Sequence, residues 1–335
     1  MKNTVEITLL LLFGATVNPV AESGPHDAAA VLKIKETDAT IAVARGETTV
    51  VVYNKLSPVV PDGIDPVYHR SGFLHPVSSP SGRVVTAVFP PDHLHQNGVF
   101  SAWVNTTWNG RKIDFWNLPG KTGRVLHHKV ISVFCDGDVA GFEVDLIHRI
   151  VEPPVIDVLM ERWKVTVRAI DDSYHCIDLE TRQTALTDLP LTINQHHYGG
   201  IALRGPGTWR EPQDNSSETT GDEEAETHES PVFLNDSGSD RIQGNLQKSQ
   251  WVSMTGPLDG RAVSIAVLGH PGNFRAPQAA RLHPTMPYFC YAPCIEGPFV
   301  IDLEHPFHAR YRYLITDTPP ETKWLNQQWQ DWNGE

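Results

Sequence analysis

VLMERWKVTVRAI, residues 158–170, reads as an extended strand. Trp163, Val165 and Val167 fall on one side of such a strand and Lys164, Thr166 and Arg168 on the other, the period of two that a half-buried sheet imposes. The same alternation runs through VLHHKVISVFC (125–135), GFEVDLIHRIV (141–151) and YHCIDLETRQTAL (174–186). Upstream, VLKIKE, ATIAVA and TTVVVYN follow one another at the spacing of an antiparallel meander, with a turn at Arg45-Gly46. Downstream, WVSMTGP, AVSIAVLGH, FVIDLEHP and ARYRYLIT continue the theme, and helical periodicity is almost absent. Long strands in succession predict wide, twisted sheets packed face to face. The expected fold is all-β, a large antiparallel β-sandwich with few or no helices.

Two stretches interrupt the pattern. SPVVPDGID (57–65) is a loop with two prolines and a glycine, and EPQDNSSETTGDEEAETHES (211–230) is acidic and has no apolar periodicity. The latter predicts a solvated, flexible loop. Strand-like runs resume beyond it, so residues 22–335 are expected to form one sandwich domain. Residues 1–21 read as an export signal, with Lys2, an apolar run at 9–13 and a small-residue end near Ala21, which places the mature chain in the periplasm or medium. No other run reaches the roughly 18 to 20 apolar residues that cross a bilayer, so membrane insertion is not expected. A formal charge of −13 argues against nucleic acid or an anionic membrane surface as partner. Cys135, Cys176, Cys290 and Cys294 leave two readings open, a disulfide or unpaired core thiols; the CYAPC spacing lacks the two-residue gap of a zinc knuckle.

Chemistry-bearing residues concentrate in FPPDHLHQNGVFSAWVNTTWNGRKIDFW (89–116), which holds Asp92, His93, His95, Asn97, Asp114, Trp103, Trp108 and Trp116. A loop carrying the histidines runs into a strand whose Val99, Ser101 and Trp103 should face away from Phe100, Ala102 and Val104. Three further clusters are Tyr68, Arg70, His75 and Arg83; His196, His197, Tyr198 and Arg204; and His270, Asn273 and Arg275. Imidazoles titrate near neutrality and serve as acid or base when a carboxylate, phenol or guanidinium tunes them. His93 and His95, two apart on an extended backbone, would also share a side and could hold a metal with His75. Adjacent His196 and His197 on a strand would point apart. Tryptophans beside such groups would either stack on sugar rings or fill the core. Patterns for a G-x-S-x-G elbow, a P-loop or a G-x-G-x-x-G turn are missing.

YHRSGFLHPVSSPSGRVVT, FPPDHLHQNGVFSAWV, DFW and HYGGIALR together resemble the secreted bacterial family commonly labelled PmoA-like, or "methane oxygenase PmoA", across roughly residues 30–315. The chain departs from that pattern at Gln96 and Asn97, where the family usually carries a second His and an Arg. The label implies a copper- or zinc-dependent oxidoreductase. The long-strand layout also resembles the galactose-mutarotase-like supersandwich, which implies carbohydrate bound in a groove over a concave sheet and a His acid with a Glu base. By that resemblance His93, His95 or His197 takes the His role, and Glu296 is the nearest Glu.

These readings converge on a carbohydrate-processing protein with His-based acid/base chemistry. The expected catalytic set is His75, Asp92, His93, His95, Tyr198 and Arg204, with Arg70, Arg83, Trp103, Asp114, Trp116 and His197 binding ligand. In this scheme His93 or His95 transfers the proton, Arg204 and Arg83 hold substrate oxygens, and Tyr198 donates a hydrogen bond. No cofactor is expected. The alternatives are a divalent metal on His75, His93 and His95, or a glycan-binding protein without catalysis.

Overall fold

The computed structural model describes residues 31–209 and 230–334. The export signal at 1–21 and the acidic segment, apart from Ser230, lie outside the described residues.

Two eight-stranded antiparallel sheets carry the fold. The first runs Leu32–Glu36, Thr40–Arg45, Thr48–Asn54, Phe73–Val77, Val99–Ala102, Gly200–Arg204, Tyr288–Tyr291 and Ala280–Leu282 in spatial order. The second holds the long strands, in the order Val232–Asn235, Trp251–Leu258, Arg261–Gly269, Phe307–Thr316, Tyr174–Ala185, Ile156–Arg168, Val139–Ile150 and Gly123–Asp136. A small sheet, Phe299–Ile301, Leu191–Ile193, Thr106–Trp108 and Arg111–Ile113, lies beside them. The predicted runs match these strands closely, except that FVIDLEHP yields only Phe299–Ile301. The strand stops there because Asp302 Oδ1 accepts from the backbone N–H groups of Glu304 and His305, turning the chain.

The period-two reading of residues 158–170 holds. Trp163, Val165 and Val167 are buried and Arg162 and Lys164 exposed; of the residues expected on the outward side, Thr166 is buried and Arg168 half-buried. The buried side faces the first sheet: the Tyr53 ring packs on Phe142 and Trp163, with centroids 5.3 and 6.3 Å apart. Ser101 and Trp103 point the same way, both bonded to Gln183, the latter at 2.7 Å from its indole N–H. Trp103 is therefore a core residue, not a ligand-binding one, and it is fully buried against Phe299 and Phe307. Phe100 faces the opposite side of the first sheet, where the Arg70 guanidinium sits 4.6 Å over its ring.

Cys135, Cys290 and Cys294 are free thiols; Cys290 and Cys294 are buried, as the second cysteine reading expects, whereas Cys135 is exposed and not a core thiol. The Tyr288 hydroxyl donates to Cys290 Sγ, and burial pushes the Cys290 thiol up to about 11. One helix, Thr322–Asn333, was not legible as a periodic segment. It forms by docking: Leu325 and Trp332 bury against Trp251, Leu268 and Leu314 on the outer face of the long-strand sheet, and the Trp329 indole donates to the Gly269 carbonyl.

Where the histidine loop enters the first sheet, Gly98 has φ +56°, and a Cβ there would lie 2.0 Å from the Leu74 carbonyl oxygen. Gly98→Ala is expected to destabilise the protein by about 1–3 kcal/mol, from left-handed strain and backbone collision together. Denaturant unfolding checks this; an unchanged midpoint would show that the loop entry is not held as described.

Candidate functional site

The outer face of the first sheet builds the site. Strand register places Tyr288 opposite Arg204, and Cys290 opposite both Ala202 and Arg281; Ala202 is in turn opposite Phe100. Paired residues share a face, so Phe100, Ala202, Arg204, Arg281 and Tyr288 all project away from the core. Over them folds the loop after the Pro90-Pro91 pair. It is pinned by His93 N–H to Pro90 C=O, Gln96 N–H to His93 C=O and Phe89 N–H to the Asn97 side chain, at 2.8–3.0 Å. Gly98 is tied to both neighbours in turn, through Gly98 N–H to Ala87 C=O and Arg204 N–H to Gly98 C=O.

Between loop and sheet lies a cavity of about 240 Å³ lined by His93, His95, Gln96, Trp116, Asn117, His197, Tyr198, Arg281, His283 and Tyr288. Residues from four separate runs of sequence thus meet in one place. Of the predicted set, His93, His95, His197, Tyr198 and Trp116 line this space.

Asp92 and Arg204 stand behind it. Both guanidinium terminal nitrogens of Arg204 donate to the two carboxylate oxygens of Asp92 at 2.7 Å, and the Arg204 side chain is fully buried. Arg204 also donates to Gln96. Its terminal nitrogens are engaged within the protein, so it positions Asp92 and does not hold substrate oxygens as expected. Burial opposes the Asp92 charge, but hydrogen bonds from His93 and Arg204 outweigh it and hold the carboxyl well below the usual range. Asp92 in turn faces His93 Nδ1 at 3.3 Å.

The other polar groups have definite roles in hydrogen bonding. Asp114 does not reach the cavity; it accepts from the backbone N–H groups of Trp116 and Asn117 and from the Asn117 amide, all at 2.8 Å. That fixes the amide so that its Nδ2 also donates to the Tyr198 hydroxyl at 3.2 Å. Burial raises the Tyr198 phenol above its ordinary value, so it stays protonated. His283 Nδ1 accepts from the backbone N–H groups of Thr285 and Met286, which places the proton of its neutral ring on Nε2. Burial, reinforced by Arg281, pushes His283 down to about 4. Burial and then the charge of Arg70 push His95 down to about 3, and its ring bonds no group among the described residues. Trp116 floors the cavity, packed against Phe100 and Tyr198.

Other expectations are corrected. His75 bonds Thr86 through Nδ1 and does not line the cavity. Among the described residues no group of three or more His, Cys, Asp or Glu could hold a metal ion, so His75, His93 and His95 are not a ligand set. Arg83 is far from any substrate role: it donates to the Leu258 carbonyl and pairs with Asp259 and Asp317. Arg70 is buried, donating to the Trp116 carbonyl. His196 and His197 lie in a loop, not a strand, and their rings sit together at 4.5 Å. His270, Asn273 and Arg275 are spent on Arg310 and on backbone carbonyls. Glu296 pairs with Lys248.

Sequence reading missed Gln96 as a lining residue, and Asn117, Arg281, His283 and Tyr288 altogether. His283 had a signal: it sits in the same Leu-His-Pro triplet as His75. Arg281 and Tyr288 had none, because they join the site through strand pairing alone.

The chain belongs to a family of unknown function (DUF6807), which it matches over residues 40–330. No curated protein matches it. Among solved structures it is similar to heparan sulfate lyase HepC from Pedobacter heparinus, at 12% identity, and to a mutant of that enzyme, at 10%. Both comparisons have a TM-score of 0.35 and cover 88% of this chain and 36% of the other.

Proposed function

We propose that this member of the DUF6807 family binds a carbohydrate in the histidine cavity and processes it by acid/base chemistry centred on His93. The observation that carries the reading is the relay Arg204–Asp92–His93, which ends at a small cavity. An ionised Asp92 facing Nδ1 keeps that nitrogen protonated in the neutral ring and leaves Nε2 bare, the arrangement of a general base with its orienting carboxylate. The opposite charge balance is supplied by donors. His283 offers Nε2–H, and Tyr198, which accepts from Asn117, keeps its own O–H to give. Such donors stabilise an oxygen that gains negative charge as His93 removes a proton.

Carbohydrate is the substrate class that suits the lining. The aromatic side chains of Trp116 and Tyr288 line the space beside amides, imidazoles and a phenol that exchange hydrogen bonds with hydroxyls. The volume, below the about 300–1,000 Å³ typical of drug-sized ligands, suits one sugar ring or the end of a chain. The PDHLH and HYGGIALR stretches behind the PmoA-like resemblance are two of those that build the cavity. The oxidoreductase reading attached to that label finds no ligand set among the described residues. The proposed site of action is the periplasm or medium, on the leader-like pattern of residues 1–21.

A thermal-shift and calorimetric panel of neutral and acidic mono- and oligosaccharides tests the reading. A ligand at a hundred times its Kd stabilises the protein by about 2.7 kcal/mol. His95→Ala should remove that stabilisation and leave the ligand-free melting point nearly unchanged, because the half-buried ring forms no hydrogen bond among the described residues and packs edge to face with His93. A panel with no binder, or a His95→Ala protein that binds as well as the parent, would defeat it.

A further inference from the structure

Resting on the carbohydrate reading, we propose that the cavity selects an acidic sugar, and that Arg281 receives its carboxylate. The chain as a whole is strongly acidic, at −13. The cavity wall is the reverse: among the described residues no Asp or Glu lines it, while Arg281 does. Asp92, the carboxylate just behind, is occupied on both oxygens by Arg204.

Arg281 is anchored and uncompensated at once. Its Nη1 donates to the Asn245 side chain at 2.9 Å and to the Leu282 carbonyl at 3.3 Å, which fixes the plane of the guanidinium. Nη2 and Nε bond nothing among the described residues, and no carboxylate pairs with it there. A planar fork with free donors, held by neutral acceptors and facing a cavity, is the arrangement that recognises a carboxylate through parallel hydrogen bonds. Its charge is felt by both His197 and His283, on either side of the space. Under the floor, Arg70 adds a second buried guanidinium; it rests on Phe100 and the Trp116 carbonyl and forms no ion pair among the described residues. Two positive groups with no lining carboxylate leave a charge that an anionic ligand would balance.

The assignment also completes the chemistry at His93. With the carboxylate seated on the guanidinium, the bare imidazole nitrogen of His93 takes the proton from the adjacent ring carbon. The C–H electron pair moves into the carboxylate as an enediolate whose charge the guanidinium balances, and return of the proton to that carbon gives the acid or its epimer.

Calorimetric titration of matched pairs tests this: glucose against glucuronate and galactose against galacturonate, with acetate as a carboxylate without a ring. Uronates should bind about ten- to a hundredfold more tightly than their neutral partners, the worth of one charge-assisted pair. Arg281→Leu should collapse that ratio toward one, and Arg281→Lys should keep part of it, which separates loss of charge from a folding defect. Equal binding of neutral and acidic sugars overturns this inference but leaves the carbohydrate reading standing. Acetate binding as tightly as uronates overturns both, as does failure of every sugar to bind. A ratio that survives in Arg281→Leu moves the anion elsewhere and overturns the assignment.

Discussion

Replacing Glu161 by Leu is expected to cost about 3–5 kcal/mol of stability. Glu161 lies between the sheets with no exposure, bonded through Oε2 to His148 Nε2 at 2.6 Å and through Oε1 to the Trp163 indole and the Thr181 hydroxyl at 2.7 Å. Removing the carboxylate strands all three buried partners. Burial opposes the charge, yet the hydrogen bonds and charge of His148 outweigh it and lower the carboxyl to about 2. The sign follows. A carboxyl depressed in the folded state contributes stability that is full above its unfolded value of about 4.5 and is lost as pH falls toward 2. Urea unfolding between pH 5 and 2.5 should therefore be steeper in pH for the parent than for Glu161→Gln. Parallel curves would mean that Glu161 is not a charged member of the network.

His93→Gln should lower turnover of the cavity's substrate by about 10²–10⁴-fold, the usual share of a positioned acid/base group. Its melting point should stay close to that of the parent, since the His93 side chain is 38% exposed. Gln keeps a polar group at the site but cannot take up a proton. Steady-state rates on whichever sugar the panel identifies decide the matter, and a variant that turns over within a few-fold of the parent would remove His93 from the chemistry. A ligand that binds without being turned over by the parent would instead favour a binding protein.

Much of the fold was legible because the long strands are half-buried. Along residues 158–170 the alternation separates Trp163, Val165 and Val167 from Lys164 and Arg168, and the structure keeps that division. The same period places Glu161 on the inward face beside Trp163, a buried acid visible in the pattern but explained only by His148 and Thr181 from neighbouring strands. Residue types in the site were equally visible: Asp92, His93, His95, His197, Tyr198 and Trp116 stand out by chemistry. Their partners did not. Arg204 looked like a substrate clamp, and only its 2.7 Å bonds to Asp92 show it serving another side chain.

By itself, then, the sequence determined the strand content, the apolar side of the strand through Trp163, and the short runs in which reactive side chains concentrate. These are local properties, set by a period of two and by side-chain chemistry. Gly123–Asp136 and Val139–Ile150 do not alternate in burial as expected. The tertiary structure decided which strands become neighbours, and through that who meets whom. Val99–Ala102 pairs with Gly200–Arg204, and that strand with Tyr288–Tyr291, across gaps that no local interaction bridges. Pairing sets the face that Arg281 and Tyr288 present, sends Trp103 into the core, and leaves Arg83 and His75 outside the cavity, because register is fixed by the burial of whole faces and not by any residue's own propensity.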